Sequence, residues 1–123
     1  MIISAFKAYL KVAWALKTPF VLLMDERYKL LSPIGAWDIY AQKLKQLRYS
    51  AYRDCNAFAW VAKAFAYEDE INSIGFVVGL AKWTMRLHSW NCMITTDGVF
   101  QGEPQTGRVF DKDKRYWAWV VVM

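Results

Sequence analysis

The spacing of apolar residues predicts helices in the first half of the chain. Residues 3–17 carry apolar side chains at intervals of three and four, which is the period of a helix with one buried face. The predicted core-facing side chains are Ile3, Phe6, Leu10, Ala13 and Trp14, with Lys7 and Lys11 on the other side. Pro19 ends this helix, since its ring cannot continue the backbone hydrogen bonding. Residues 20–32 then predict two short extended pieces around a polar turn, arranged as a hairpin.

Two further helices follow the same period. A second helix is predicted over residues 35–49, behind a Ser-Pro start signal at residues 32–33. Its apolar face is Trp37, Tyr40, Leu44 and Leu47. A third helix over residues 55–68 follows Asp54, whose side chain is a favourable N-cap. Its apolar face is Phe58, Val61 and Phe65. Cys55 therefore stands in the first turn of the third helix.

The second half of the chain has the pattern of an antiparallel sheet. Its segments are rich in β-branched residues and glycine, and Asp97-Gly98 is typical of a tight hairpin turn. Strands are predicted at residues 73–83, 87–95, 98–103, 107–110 and 116–123. Helices followed by strands predict an α+β fold, with N-terminal helices packed on a C-terminal antiparallel β-sheet. Residues 1–123 have the length of a single domain.

Composition and charge narrow the class of protein. Hydrophobic residues make up 56% of the chain and aromatic residues 17%, which excludes a disordered chain. The net charge is +5, and residues 1–53 hold nine Lys or Arg against three Asp or Glu. Such a basic half most often forms a solvated surface, and less often contacts nucleic acid, anionic lipid or an acidic protein.

The first 24 residues are apolar enough to require a membrane test. Lys7, Lys11 and Lys17 interrupt the apolar run, so no stretch reaches the length of a membrane span. No small-residue cleavage site follows a clean apolar region either, so a signal peptide is not expected. The pattern favours a core-packing N-terminal helix over a helix that binds a membrane surface.

Three residues have types and positions suited to acyl-transfer chemistry. The start of a helix stabilises a thiolate through the helix dipole and its free N–H groups, as at Cys55. His88, on the predicted strand 87–95, could accept the thiol proton near neutral pH. Glu103, on the next strand, could orient the imidazole from its other ring nitrogen. An active triad requires the cysteine sulfur within about 4 Å of the imidazole, on the same side of the sheet.

The motifs around these residues resemble those of a known family. They are Asp-Cys-Asn-Ala-Phe-Ala, His-Ser-Trp-Asn and Glu-Pro-Gln-Thr-Gly, in that order. They resemble the small papain-like and transglutaminase-like cysteine peptidase domains of phage proteins. They are also similar to the C-terminal catalytic domain of a fungal agglutinin. The resemblance implies a papain-like or transglutaminase-like core and a triad of Cys55, His88 and Glu103. The chain departs from the family at Asn56 and Ala57, where an acidic pair is common, and at Ser89.

The resemblance implies a cysteine-dependent acyl-transfer hydrolase, peptidase or amidase-like and phage-encoded. Its substrate would be a peptide or a protein of the host, and its location the host cytoplasm. Cys55 would attack a carbonyl, His88 would protonate the leaving amine, and Glu103 would hold the imidazolium. Residues expected to support the oxyanion or the triad are Gln105, Asn91, Tyr52 and Trp90. No metal or other cofactor is expected, because one histidine and two distant cysteines give no recognised ligand cluster.

Two other functions remain open from the sequence. The first is a non-catalytic binding or inhibitory protein on the same fold, which targets a host protein through an aromatic and basic surface. The chain has seven Trp, seven Tyr and seven Phe, more than its core must hold, and such a surface could also form a homodimer. The second is nucleic-acid binding through the basic half. It is disfavoured, because the lysines of the predicted helices lie opposite apolar stripes rather than among base-reading side chains.

Overall fold

The computed structural model describes residues 1–31, 36–46 and 54–123. The helices in these ranges are α1 (Ala5–Leu16), α2 (Ala36–Leu44) and α3 (Cys55–Glu68). The strands are β1 (Ile2–Ser4), β2 (Val21–Leu22), β3 (Arg27–Lys29), β4 (Ile74–Ala81), β5 (Arg86–Thr95), β6 (Gly98–Gly102), β7 (Val109–Phe110) and β8 (Tyr116–Val122). The predicted helix-start signal at residues 32–33, the apolar position Leu47 and the supporting residue Tyr52 lie outside the described residues.

Six of the strands form one sheet in the order β2-β8-β4-β5-β6-β7. Every pair in this sheet is antiparallel except β2 and β8, which run parallel. α1 packs on one face of the sheet, while α2 and α3 pack on the other. The predicted α+β class is therefore confirmed. The expected division into N-terminal helices and a C-terminal sheet is incomplete, since β2 comes from the N-terminal half.

The predicted hairpin over residues 20–32 does not form. β2 joins the edge of β8, where Val21 pairs with Val121, and β3 pairs instead with β1, Tyr28 lying opposite Ile3. The Tyr28 hydroxyl accepts hydrogen bonds from the N–H groups of Met24 and Asp25, both at 3.1 Å. β8 leaves unpaired backbone groups that β2 satisfies, so the two pieces have different partners.

α1 buries a face offset from the one that its apolar pattern predicts, although Ile3 is buried and Ala13 packs against the same core cluster, as predicted. The buried side chains are Ala8, Val12 and Leu16, whereas Phe6, Leu10 and Trp14 are exposed. Both sets recur every four residues, so the period alone cannot distinguish them. The exposed face therefore carries an apolar stripe that makes no contribution to the core.

α2 and α3 meet the predictions for them more closely. Trp37, Tyr40 and Leu44 of α2 are buried as expected. α3 begins at Cys55, and Asp54 Oδ1 accepts hydrogen bonds from the N–H groups of Asn56 at 3.1 Å and Ala57 at 3.3 Å. This capping satisfies donors that the first turn would otherwise leave free. Within the described residues no helix is both long and apolar enough to cross a membrane.

The side chains of β5 divide between the two faces of the sheet. Trp90, Cys92 and Ile94 pack in the core cluster that contains Val12 and Leu16 of α1. On the opposite face, the Ser89 hydroxyl donates to the side-chain oxygen of Asn56 in α3, and Asn91 Nδ2 donates to the Ala59 carbonyl at 2.9 Å. Alternation along a strand therefore places His88 on the α1 face.

Candidate functional site

A cleft at the α1 face of the sheet brings together two of the residues expected in the triad. His88 Nε2 lies 2.7 Å from Glu103 Oε2. The cleft has a volume of about 490 Å³, which suits a small ligand. We call it the His88 cleft, and its lining residues are Trp83, His88, Glu103, Gln105, Thr106, Arg108, Arg115 and Tyr116.

A tight loop between β6 and β7 positions Glu103. Its N–H donates to the Arg108 carbonyl at 2.8 Å, and the Gly107 N–H donates to the Glu103 carbonyl at 2.8 Å. Gly107 has a φ of 79°, which glycine adopts without steric cost. Since Gly102 pairs with Asn91 on β5, the loop begins beside the strand that carries His88. The order of strands therefore explains why the imidazole and the carboxylate meet.

The Glu103 side chain lines the cleft and is only 7% exposed. Its Oε2 also accepts a hydrogen bond from the Tyr116 hydroxyl at 3.1 Å. Burial is the main cause that raises the pKa of Tyr116, so this hydroxyl stays protonated and donates at neutral pH. Glu103 Oε1 is buried and has no donor among the described residues. One oxygen of the carboxylate thus keeps an unused acceptor capacity.

Aromatic rings form the wall of the cleft above His88. The Trp83 ring centroid lies 5.7 Å from that of His88 and 4.9 Å from that of Tyr116, both in edge-on contacts. His88 in turn stacks on the buried Trp90, at 5.8 Å between centroids. Trp83 is half exposed, so one part of its ring faces solvent. The wall offers a rigid apolar surface beside fixed polar groups.

Two arginines give the cleft a positive rim. Arg108 Nη2 and Arg115 Nη2 each lie 2.8 Å from Asp113 Oδ2. The hydrogen bond from Arg115 is the largest of the causes that hold the pKa of Asp113 well below its ordinary range. The Arg115 guanidinium lies 5.9 Å from the Trp83 centroid, and that of Arg108 lies 5.6 Å from Tyr116. Asp113 therefore orients both guanidinium groups beside the aromatic wall.

Cys55 lies in a separate cleft. That cleft has a volume of about 590 Å³, and its lining residues are Asp54, Cys55, Asn56, Trp60, Phe76, Val78, Leu87 and Ser89. Cys55 is half-buried and not in a disulfide, and in the described part of the chain no hydrogen bond joins it to His88. Its cleft opens on the α3 face of the sheet, whereas His88 packs on the α1 face. The proposed nucleophile and the proposed base therefore line different clefts, and the triad stays a prediction.

The other predicted supporting residues are spread over three environments. Gln105 lines the His88 cleft. Trp90 is fully buried beneath it, and its Nε1 donates to Gln101 Oε1 at 2.8 Å. Asn91 joins α3 to the sheet, since its Nδ2 donates to the carbonyls of Ala59 and Gly75. Neither Trp90 nor Asn91 therefore presents a polar atom to the cleft.

The sequence pattern does not predict the aromatic and arginine side chains of the cleft. Trp83 lies in the turn between β4 and β5, and Tyr116 begins β8. Ala81 pairs with both Arg86 and Tyr116, so strand pairing brings the two aromatic residues to the same end of the sheet. A signal for the rim was present in the alternating charges of residues 111–115, which form the turn between β7 and β8. In residues 1–31, 36–46 and 54–123 no group of three His, Cys, Asp or Glu side chains is placed to hold a metal ion.

Comparison with known proteins identifies similar structures but no sequence family. No protein-family model matches the chain, and no curated protein matches it. One similar solved structure is described as the "PSL1a-E64 complex", with a TM-score of 0.81 and 19% identity over 99% of this chain. Another is Polyporus squamosus lectin bound to the human-type influenza-binding epitope Neu5Acα2-6Galβ1-4GlcNAc, with a TM-score of 0.80, 21% identity and 99% coverage. The chain spans about half the length of both, 51% and 49%.

These findings correct the identification as a papain-like or transglutaminase-like cysteine peptidase. One of the two similar structures is described as a lectin with a bound glycan, and neither description names a peptidase or other hydrolase. The predicted function as a cysteine-dependent hydrolase is therefore wrong, and a peptide or protein substrate is not supported. Cys55 and His88 line different clefts. The non-catalytic binding alternative fits the structural neighbours better.

Proposed function

We propose that the chain is a non-catalytic binding protein and that the His88 cleft holds an acidic carbohydrate. The observation that carries the proposal is the composition of this cleft. Trp83, which is half exposed, and Tyr116 supply aromatic rings. Beside them lie the buried carboxylate of Glu103 and the guanidinium groups of Arg108 and Arg115. The apolar C–H face of a sugar ring can pack on an aromatic ring, while its hydroxyl groups need fixed hydrogen-bond partners.

The arginines favour an acidic sugar over a neutral one. Each guanidinium has five N–H donors, and Asp113 engages one nitrogen of Arg108 and two of Arg115. The remaining donors suit a carboxylate, which arginine binds with two parallel hydrogen bonds. The sialylated glycan in the description of the similar lectin is a ligand of that longer protein. It is the ligand class that we would test first on this chain.

Calorimetric titration with sialylated and neutral lactosamine glycans tests the proposal. We expect the chain to bind the sialylated glycan, and Trp83→Ala to weaken that binding by about tenfold or more, since a desolvated aromatic contact is lost. Arg115→Ala should reduce the preference for the sialylated over the neutral glycan. Trp60→Ala is the matched control, because Trp60 is also half exposed but lies beside Cys55 on the other face. Absence of binding to either glycan would overturn the proposal, as would equal losses for Trp83→Ala and Trp60→Ala.

A further inference from the structure

The outer face of α1 carries an apolar stripe that the fold does not use. Phe6, Leu10 and Trp14 succeed one another every four residues and are 71%, 50% and 88% exposed. The helix is held to the sheet by its other face, through Ala8, Val12 and Leu16. A row of three large apolar side chains on one exposed helix face marks an interaction surface more often than an accident of composition.

Lysines accompany this stripe, and α1 contains no acidic residue. Lys7 and Lys11 follow the edge of the stripe beside Trp14, and Lys17 lies just past the C-terminal end of the helix. The Lys17 backbone has a φ of 55° and caps the helix, so its ammonium group is attached at a fixed point. This face of α1 therefore combines aromatic and aliphatic side chains with a net positive charge.

We infer that the exposed face of α1 binds the surface of an anionic membrane. An interfacial helix buries Trp, Phe and Leu at the boundary of the acyl chains and places lysines at the level of the headgroups. Phe6, Leu10 and Trp14 meet the first requirement, and Lys7, Lys11 and Lys17 meet the second. The length of α1, 12 residues, allows it to lie in the interface and not to span the bilayer.

The charge of the surface distinguishes this partner from a second copy of the chain. Two copies that met through α1 would bring their lysine rows together, and no carboxylate of the helix would neutralise them. An anionic bilayer supplies the opposite charge over the whole face, worth about fivefold in affinity for each lysine near the surface. The inference is independent of the His88 cleft, whose lining includes no residue of α1.

Sedimentation of the full chain with lipid vesicles tests the inference. We expect binding to phosphatidylcholine vesicles that contain about 30 mol% phosphatidylserine, and little binding to pure phosphatidylcholine. Raising the salt from about 0.05 M to about 0.5 M should release most of the protein, because salt screens the lysines. The Lys7→Glu/Lys11→Glu variant should bind at least about 25-fold more weakly, because two fivefold contributions are lost and the new carboxylates repel the anionic surface.

Matched variants distinguish binding through the α1 stripe from non-specific binding through any exposed apolar side chain. Leu10→Ser/Trp14→Ser should lose vesicle binding, whereas Leu87→Ser/Trp60→Ser, which removes an exposed Leu and Trp from the α3 face, should keep it. The Lys45→Glu/Arg86→Glu variant has the same net charge as the Lys7→Glu/Lys11→Glu variant and is its control. Circular dichroism confirms that each variant is folded. Equal binding to neutral and anionic vesicles, no binding to either, or equal losses in the two double-serine variants would overturn the inference. So would a stripe variant that changes only the oligomeric state measured by size-exclusion chromatography, since that result indicates a second copy.

Discussion

At the scale of single residues, the His88 cleft depends on side chains that hold one another in place. His88 and the Tyr116 hydroxyl both contact one oxygen of Glu103, Oε2. Arg108 and Arg115 both contact one oxygen of Asp113, Oδ2. Each carboxylate thus positions two cleft residues. A ligand meets groups whose orientation is already fixed, which reduces the entropy lost on binding.

Asp113 gives a prediction about pH. A carboxyl group whose folded pKa is depressed stabilises the fold above its ordinary pKa of about 3.9, and this stabilisation is lost as the pH falls. We expect Asp113→Asn to lower the free energy of unfolding by about 1–2 kcal/mol at pH 7. The difference from the unmodified chain should shrink as the pH drops below about 4. Urea unfolding at several pH values measures it.

The control for this experiment is Asp97→Asn, at the exposed turn between β5 and β6. A deficit for Asp113→Asn that stays the same at acid and neutral pH would show that packing, not the charge of Asp113, stabilises the turn. Asp113→Asn should also weaken glycan binding in the His88 cleft, since Arg108 and Arg115 lose the carboxylate that both contact.

At the scale of elements, close approach of β6 and α2 fixes where the second helical layer sits. A Cβ atom on Gly102 would lie 2.6 Å and 2.7 Å from two ring atoms of Trp37, and 2.9 Å from the methyl carbon of Met93. Trp37 is fully buried, and its Nε1 donates to the Gly107 carbonyl at 3.3 Å. The indole therefore packs directly on the strand that leads to Glu103.

Gly102→Ala should consequently destabilise the chain by about 1–3 kcal/mol through overpacking. Trp37→Phe removes part of the indole that the new methyl group would meet. We expect the double variant to be more stable than the sum of the two single effects predicts, because the residues touch. Thermal and chemical unfolding of the four proteins in this cycle measure the coupling. Strict additivity would show that the methyl group is accommodated in another way.

At the scale of the whole molecule, one sheet serves two core clusters. Val12 belongs to the cluster under α1, whereas Met93 belongs to the cluster under α2 and α3. β4 and β5 contribute to both, since their side chains alternate between the faces. This arrangement links the two clusters through shared strands and bears on the prediction that residues 1–123 are a single domain.

A single domain should unfold in one cooperative transition. Tryptophan fluorescence and far-ultraviolet circular dichroism should give the same midpoint in urea. Val12→Ala, expected to cost about 1–3 kcal/mol, and Met93→Ala, expected to cost about 2–5 kcal/mol, should each shift that one midpoint. A second transition affected by only one of the two variants would show that the layers unfold separately.

The sequence by itself determined most of the local structure. The period of Trp37, Tyr40 and Leu44, the cap at Asp54 and the alternation on either side of Asp97-Gly98 are interactions between residues close in the chain. Each therefore leaves a readable pattern. The pairing of neighbouring strands β5 and β6 also brought His88 and Glu103 together, because a hairpin fixes its own register.

The tertiary structure decided which face each element buries and which partner it takes. Both faces of α1 carry apolar residues every four positions. Only packing on the sheet determines that Val12 is buried and Leu10 is exposed. β2 pairs with β8, and β3 pairs with β1. These partners depend on open strand edges that distant parts of the chain create, so the local pattern does not show them. Chain order suggests Cys55 as a partner of His88, but it does not show on which face of the sheet each element packs. The layer order placed α3 on one face of β5 and the His88 ring on the other.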